Sequence, residues 1–422
     1  MHRPLDTLIS SPHRVMFLPG AIQCVAAMLW WLLELAARSG ILSLPVADAL
    51  PGSAAHIWLM LYGCFPFFIY GFLYTAVPSW LNASRPTRNA YLAAVIPMSL
   101  GAALFYPGLY VQGLAAVAVG LHLIGWIAAW RALWRIRSVA PTPASARRSA
   151  LGLIQAAAAP LPDRRHARVA LLACALGGLG EAAYLLWLLL GGTASLLTVA
   201  EVLGVWGFLA PLYLAVCHRM IPWFTSRAVA NYTLAQPSEV LWLLVSGCLL
   251  HGGLEMAGLA AWNWPADLGM AGLCFWLCHR WQFSRGLAVR MLAMLHIGFL
   301  WAGLAFLLYG LQGVFAFAGL YYGLGHAPLH ALGIGFFASM LIGMATRVSL
   351  GHTGRTMEAN ALTWGLFWLV QATAVLRLAP ELLPIGIWST LVAGVLWLLA
   401  FGAWTLKYAP WTWQARVDGR PG

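Results

Sequence analysis

The sequence predicts an all-α, polytopic membrane helix bundle with about twelve transmembrane helices and both termini in the cytoplasm. Three observations carry that expectation. The chain is 62% hydrophobic and only 9% charged, whereas soluble domains carry about 25% charged residues. Its apolar runs are each close to the ~20 residues that a spanning helix needs. Its lysines and arginines fall almost entirely on one side of those runs.

In chain order the runs lie near 15–37, 54–80, 90–106, 108–130, 168–190, 196–218, 238–260, 266–284, 287–311, 324–346, 360–379 and 384–406. The third and fourth are separated only by the tight turn PGLY at 107–110, and 312–323 reads as a short re-entrant or interfacial piece. With twelve spans, the loops after even-numbered helices share a side with both termini. Of the 24 Lys and Arg residues, all but Arg38 and Arg377 fall on that side. Such an asymmetry marks the cytoplasmic face.

Residues 131–168 form the one long polar loop, rich in Arg, Pro and Ala, and serve as a linker or as a patch on anionic lipid. No second domain is apparent, so 1–422 reads as a single membrane domain. The basic start, MHRPLDTLISSPHR, precedes a helix without a small-residue cleavage site, which makes that helix an uncleaved first span. The net charge of +12 does not point to nucleic acid, because no basic domain or zinc-finger spacing accompanies it. The seven cysteines sit almost wholly inside helices and read as small buried hydrophobes, Cys274 and Cys278 included.

The histidines divide by depth. His2, His13, His166 and His352 lie in cytoplasmic segments, with His218 and His279 at cytoplasmic helix ends, where solvated or capping roles are expected. Inside the membrane are His56, His122, His251, His296, His326 and His330. His56, His326 and His330 fall within about two turns of the outer face, while His296 and His251 lie roughly 12 and 18 Å from the cytoplasmic starts of their helices. Imidazoles in hydrocarbon are costly and mark buried sites by default. His56, His296 and His330 are therefore read as ligands, and His122 as an interhelical hydrogen bond. For His251 both readings stand, because Glu255 lies one turn along the same face.

Several imidazoles with few intramembrane acids suit haem iron, copper or zinc, and disfavour calcium, magnesium or manganese, which prefer oxygen ligands. Met60, Met294, Met340 and Met344 are available to copper or, equally, to packing. At the far end of the 324–346 run, His330 and Arg347 are separated by roughly 26 Å, a full crossing. Arg347, His352 and Arg355 therefore meet a different environment from His330. They read either as a positive-inside turn permitted by Gly351 and Gly354 or as a site for an anion such as a haem propionate or lipid phosphate.

Four blocks bear a family likeness: HIWLMLYGCFPFFIYGFLYTAVPSW (56–80), HRMIPWFT (218–225), MLHIGFLWAG (294–303) and HALGIGFFASMLIGMATRVSLGHTGR (330–355). With these blocks the chain resembles the NnrS family, haem- and copper-containing membrane proteins associated with the bacterial response to nitric oxide. The likeness covers nearly the whole chain. It implies haem, copper as a further metal, a diatomic gas such as nitric oxide as partner, and an unknown electron donor. Where the family usually has a second histidine followed by glutamate, this chain has Trp58 and Leu59. A looser, fold-level analogy exists with haem–copper oxidases, which have twelve helices and haem-ligating histidines on helices 2 and 10. Here His56 falls on helix 2 and His326 and His330 on helix 10. Helices 2, 6 and 10 end in TAVPSW, RMIPWF and ATRVSL, a hint of a four-helix repeat.

Two functional classes follow. One is a haem protein that handles nitric oxide as a redox enzyme or scavenger, with His56 and His330 on one iron, His326 as the rival on helix 10, and His296 and His251 near a second metal or proton path. The other is a transporter or channel whose histidines line a route for protons, metal ions or small molecules.

Overall fold

The computed structural model describes residues 4–138, 163–320 and 323–419, and among these there is helix and no strand. The long helices are α1 (Pro12–Arg38), α2 (Gly52–Leu81), α3 (Arg88–Gly108), α4 (Leu114–Ser138), α5 (Arg164–Leu189) and α6 (Ala194–Ala228). They continue as α7 (Ser238–Met256), α8 (Trp264–Arg280), α9 (Arg290–Phe317), α10 (Ala327–His352), α11 (Ala361–Leu382) and α12 (Ile387–Tyr408). Among the described residues, 11 helices are long and apolar enough to cross a membrane. The remaining one, α8, has 17 residues, at the short limit of about 17–25 for a span. The expected all-α polytopic bundle is what the chain forms.

Several boundaries differ from expectation. The loop expected over 131–168 is shorter, because α4 runs on through Ser138 and α5 begins at Arg164; 139–162 lies outside the described residues. Polar residues continue these helices because beyond hydrocarbon the backbone still gains by helical hydrogen bonding. The end of α6 extends ten residues past the expected 218, carrying HRMIPWFT inside the helix. The first half of the supposed re-entrant piece, 312–317, is the end of α9, which continues to Phe317, and 321–322 lie outside the described residues.

Three helices stand out by both burial and geometry. The most buried spans are α2, α6 and α10, and each contains a π-helical stretch, Leu59–Cys64, Leu203–Leu209 and Ala331–Ala338 respectively. These are the three helices whose ends hint at a four-helix repeat. A π-turn inserts an extra residue per turn and so re-aims the side chains before it, which is why such turns recur at functional sites. The Tyr62 hydroxyl, in the first π stretch, donates to Ala200 O at 2.6 Å just before the second. Gly204 makes room for it, since a Cβ there would lie 2.8 Å from that hydroxyl.

The other helices surround this inner trio, and indole–carbonyl bonds mark two of the joins between four-helix groups. Trp126 and Trp130 of α4 donate to Cys174 O and Leu171 O of α5. Trp397 of α12 donates to Cys24 O of α1, closing the ring. The closure is reinforced by Arg14, whose Nη1 donates to the carbonyls of Trp411, Thr412 and Gln414. Inside hydrocarbon each such bond occupies an indole N–H that would otherwise go unpaired.

Candidate functional site

A cavity of about 620 Å³ opens among α1, α2, α6, α10, α11 and α12, near the end where α2 and α10 begin. That volume lies within the roughly 300–1,000 Å³ of small-molecule and cofactor sites. The structure brings His56, His326 and His330 to its wall together with Met60, Glu201, Arg377 and Glu381. All three inner helices thus present a polar residue just ahead of their π stretches: His56 on α2, Glu201 on α6 and His330 on α10.

The two principal imidazoles are held differently. His330 sets its Nδ1 2.9 Å from the carbonyl oxygen of His326, one turn back. A carbonyl only accepts, so Nδ1 carries the proton and Nε2 keeps its lone pair for a ligand, the usual outer-shell arrangement of a metal-bound histidine. His56 is stacked on Trp31 at 4.2 Å, and its Nδ1 is buried with no hydrogen-bond partner. His326 is the exposed member of the three, at the N-terminal boundary of α10. Arg377 of α11 donates to Glu381 at 3.0 Å, and both line the cavity. Glu201, Arg377 and Glu381 were not foreseen as site residues. Arg377 carried a signal in the sequence, as one of only two cations off the basic side.

The two positions where the resemblance implies a second histidine and a glutamate do not line this cavity. Trp58 and Leu59 are fully buried on the other side of α2, with Trp58 stacked on Phe105 at 4.1 Å and its ring edge-on to His122 at 5.3 Å. His122 itself bonds Glu181 across α4 and α5 at 2.6 Å. The interhelical bond read for it is present, and its partner is a carboxylate.

The remaining expected residues lie elsewhere. His296 is buried against Thr225 of α6, Nε2 to Oγ1 3.2 Å, and against Gly286. His251 bonds Asp267 of α8 at 2.7 Å and is stacked under Trp206 at 3.7 Å. Glu255, expected to support it, is 3.8 Å away and accepts instead from Trp206. Asp267 is near in space but on another helix, so local spacing missed it. The His251 ring meets Tyr309 on α9, 13 residues beyond His296 and therefore roughly 20 Å along the helix. The two imidazoles do not converge on one metal.

At the basic end, Arg347 lies over the Phe224 ring at 3.5 Å, so α10 docks on HRMIPWFT. Arg355 lies over Trp411 at 4.1 Å. His352 is stacked on His13 at 4.0 Å, and its carbonyl accepts from Arg416. Gly354 makes the turn that glycine permits, with φ +72°. None of Arg347, His352 and Arg355 lines the cavity. His13, His166 and His218, expected to be solvated or capping, are all buried. All seven cysteines are buried and unbridged.

Inner helices that carry imidazoles to a largely apolar cavity near one end of the bundle define a polytopic helical membrane protein. The chain belongs to the NnrS family: the family model described as NnrS protein matches residues 7–416. Membership makes it a nitric-oxide-related membrane protein. Among curated proteins none matches it.

Proposed function

We propose that the cavity holds a haem between His56 of α2 and His330 of α10, and that the protein handles nitric oxide there as a redox enzyme or scavenger. The observation that carries this reading is the pair of imidazoles on facing inner helices. One has its far nitrogen fixed by a carbonyl, and the other has a buried Nδ1 without a partner. Among the described residues no three of His, Cys, Asp and Glu gather into a metal cage. His56 and His330 would be the residues to hold the haem, since imidazole is a donor that haem iron takes. Bound haem would supply an iron that exchanges electrons, and with His56 and His330 both holding it a diatomic gas would reach the iron only in place of one of the two.

The chain's own residues do the rest. Trp31 fixes the plane of His56, and the apolar wall excludes water. Arg377 is the cation placed to meet a propionate, in place of Arg347 and Arg355. His326 and Met60 on the same wall are the imidazole and thioether left for copper, which accepts both donor types. In this reading the membrane is a bacterial inner membrane and the basic end faces the cytoplasm, which the arginine asymmetry supports. Purified protein from haem-replete cells should show a Soret band and stoichiometric iron. Protein that is folded and free of both overturns the reading.

A further inference from the structure

On the basic side of the bundle, away from the cavity, four groups form a continuous hydrogen-bonded row. Asp163 Oδ2 stands 2.7 Å from His166 Nδ1. His166 Nε2 stands 3.0 Å from His218 Nδ1. His218 Nε2 stands 3.0 Å from the carbonyl oxygen of Pro237. Both imidazoles are 1% exposed.

The row can be counted in protons. Pro237 O only accepts, so His218 Nε2 carries a hydrogen. The carboxylate of Asp163 also only accepts, so His166 Nδ1 carries one too. If both rings are neutral, each has now used its single N–H. His166 Nε2 and His218 Nδ1 would then face each other as two lone pairs 3.0 Å apart, which is repulsive. A cation must lie between them.

A proton fits. The separation is that of an N–H···N hydrogen bond. Among the described residues no third His, Cys, Asp or Glu converges here to hold a metal ion. The remaining alternative, a protonated Asp163, is opposed by Arg219, which donates to the same carboxylate oxygen. Burial alone would raise the Asp163 carboxyl, but the hydrogen bond and charge of His166 and the charge of Arg219 outweigh it. They hold the group well below the usual carboxylate range. We propose that His166 and His218 share one extra proton as a buried imidazole–imidazolium pair, neutralised by Asp163, which latches α5, α6 and the start of α7 together.

Among the described residues the charged groups facing the pair are Asp163 just before α5, Arg165 in its first turn and Arg219 on α6. The Trp80 ring at the end of α2 and the Trp281 ring just past α8 pack against it. Arg219 is itself stacked over Trp80 and accepts a bond at its carbonyl from Gln236. Loss of the proton therefore breaks the central link of a row that joins three helices.

The test is ring-nitrogen NMR of ¹⁵N-histidine-labelled protein in nanodiscs between pH 5.5 and 8.5, with His166→Gln and His218→Gln to assign the signals. One ring of the pair should be protonated on both nitrogens and show coupling across the N–H···N bond. Asp163→Asn should make the pair release its proton at a pH lower by about one to three units, the usual effect of removing an adjacent opposite charge. Limited proteolysis of the 229–237 loop gives a second readout: it should accelerate as pH rises in the wild type and be pH-independent in His218→Gln. Two neutral rings at pH 6 overturn the proposal. So does stoichiometric zinc or copper that His218→Gln removes, which would make the occupant a metal ion.

Discussion

The indole of Trp31 lies on the imidazole of His56 with ring centroids 4.2 Å apart and 16° between the planes. This contact fixes the ring plane of His56 from α1, while the backbone of α2 fixes its position. His330 is set from the other side by its own helix, through the carbonyl of His326. Neither imidazole needs a ligand to hold its orientation, and a preset pair loses less entropy on binding.

His56→Ala and His330→Ala should each lower haem per protein at least tenfold, read as the Soret band against total protein. Trp31→Ala should keep haem but speed its loss to apomyoglobin, because the ring then rotates. Unchanged spectra in both histidine variants would falsify the assignment.

Arg377 offers a sharper test because it separates the two ends of the bundle. It lines the cavity, whereas Arg347 is spent on the Phe224 ring. A charge-assisted hydrogen bond is worth about 1.5–3 kcal/mol, so Arg377→Gln should weaken haem retention roughly 10- to 100-fold. Arg347→Gln should leave haem content at the wild-type value and lower the melting temperature instead. The reverse pattern would move the propionates to the basic end.

The helices and their order could be read in the sequence because hydrocarbon imposes one length and one composition on every span. The grouping of His56 with His326 and His330 was likewise legible, since depth alone places them at one face. Partners across helices were not. Asp267 beside His251 and Glu181 beside His122 belong to other helices, and periodicity within one helix says nothing about which neighbour it meets. The same limit hid His166 and His218. Placed near helix ends, they read as solvated, yet the bundle closes over both. Arg347, His352 and Arg355 formed one motif in sequence but turn to three different partners, Phe224, His13 and Trp411.

Gly286 tests whether His296 is a packed hydrogen-bonding residue. A Cβ on Gly286 would fall 2.5 Å from the His296 ring, which Thr225 holds from the other side. Overpacking of this kind costs about 1–3 kcal/mol. Gly286→Ala should therefore lower the thermal midpoint while metal and haem content stay at wild-type values. If metal is lost with the fold intact, His296 is a ligand after all.

The pair His122 and Glu181 makes the last prediction. Both side chains are fully buried, they meet at 2.6 Å, and His122 Nε2 and Glu181 Oε2 have no further partner. Around them stand the rings of Trp58, Phe67 and Trp126. Removing one member of a buried pair leaves the other unpaired and costs about 3–5 kcal/mol, whereas replacing both with apolar residues of similar size is often neutral. Glu181→Ala should therefore melt far below the wild type. Glu181→Gln, which retains an acceptor for His122, should fall between them, and His122→Phe with Glu181→Leu should recover most of the loss. None of these changes should alter the Soret band, because neither residue lines the cavity. A Glu181→Ala protein as stable as the wild type would show that the pair adds nothing to the fold. A stable double variant with intact haem but no nitric oxide response would give the pair a proton-carrying role instead.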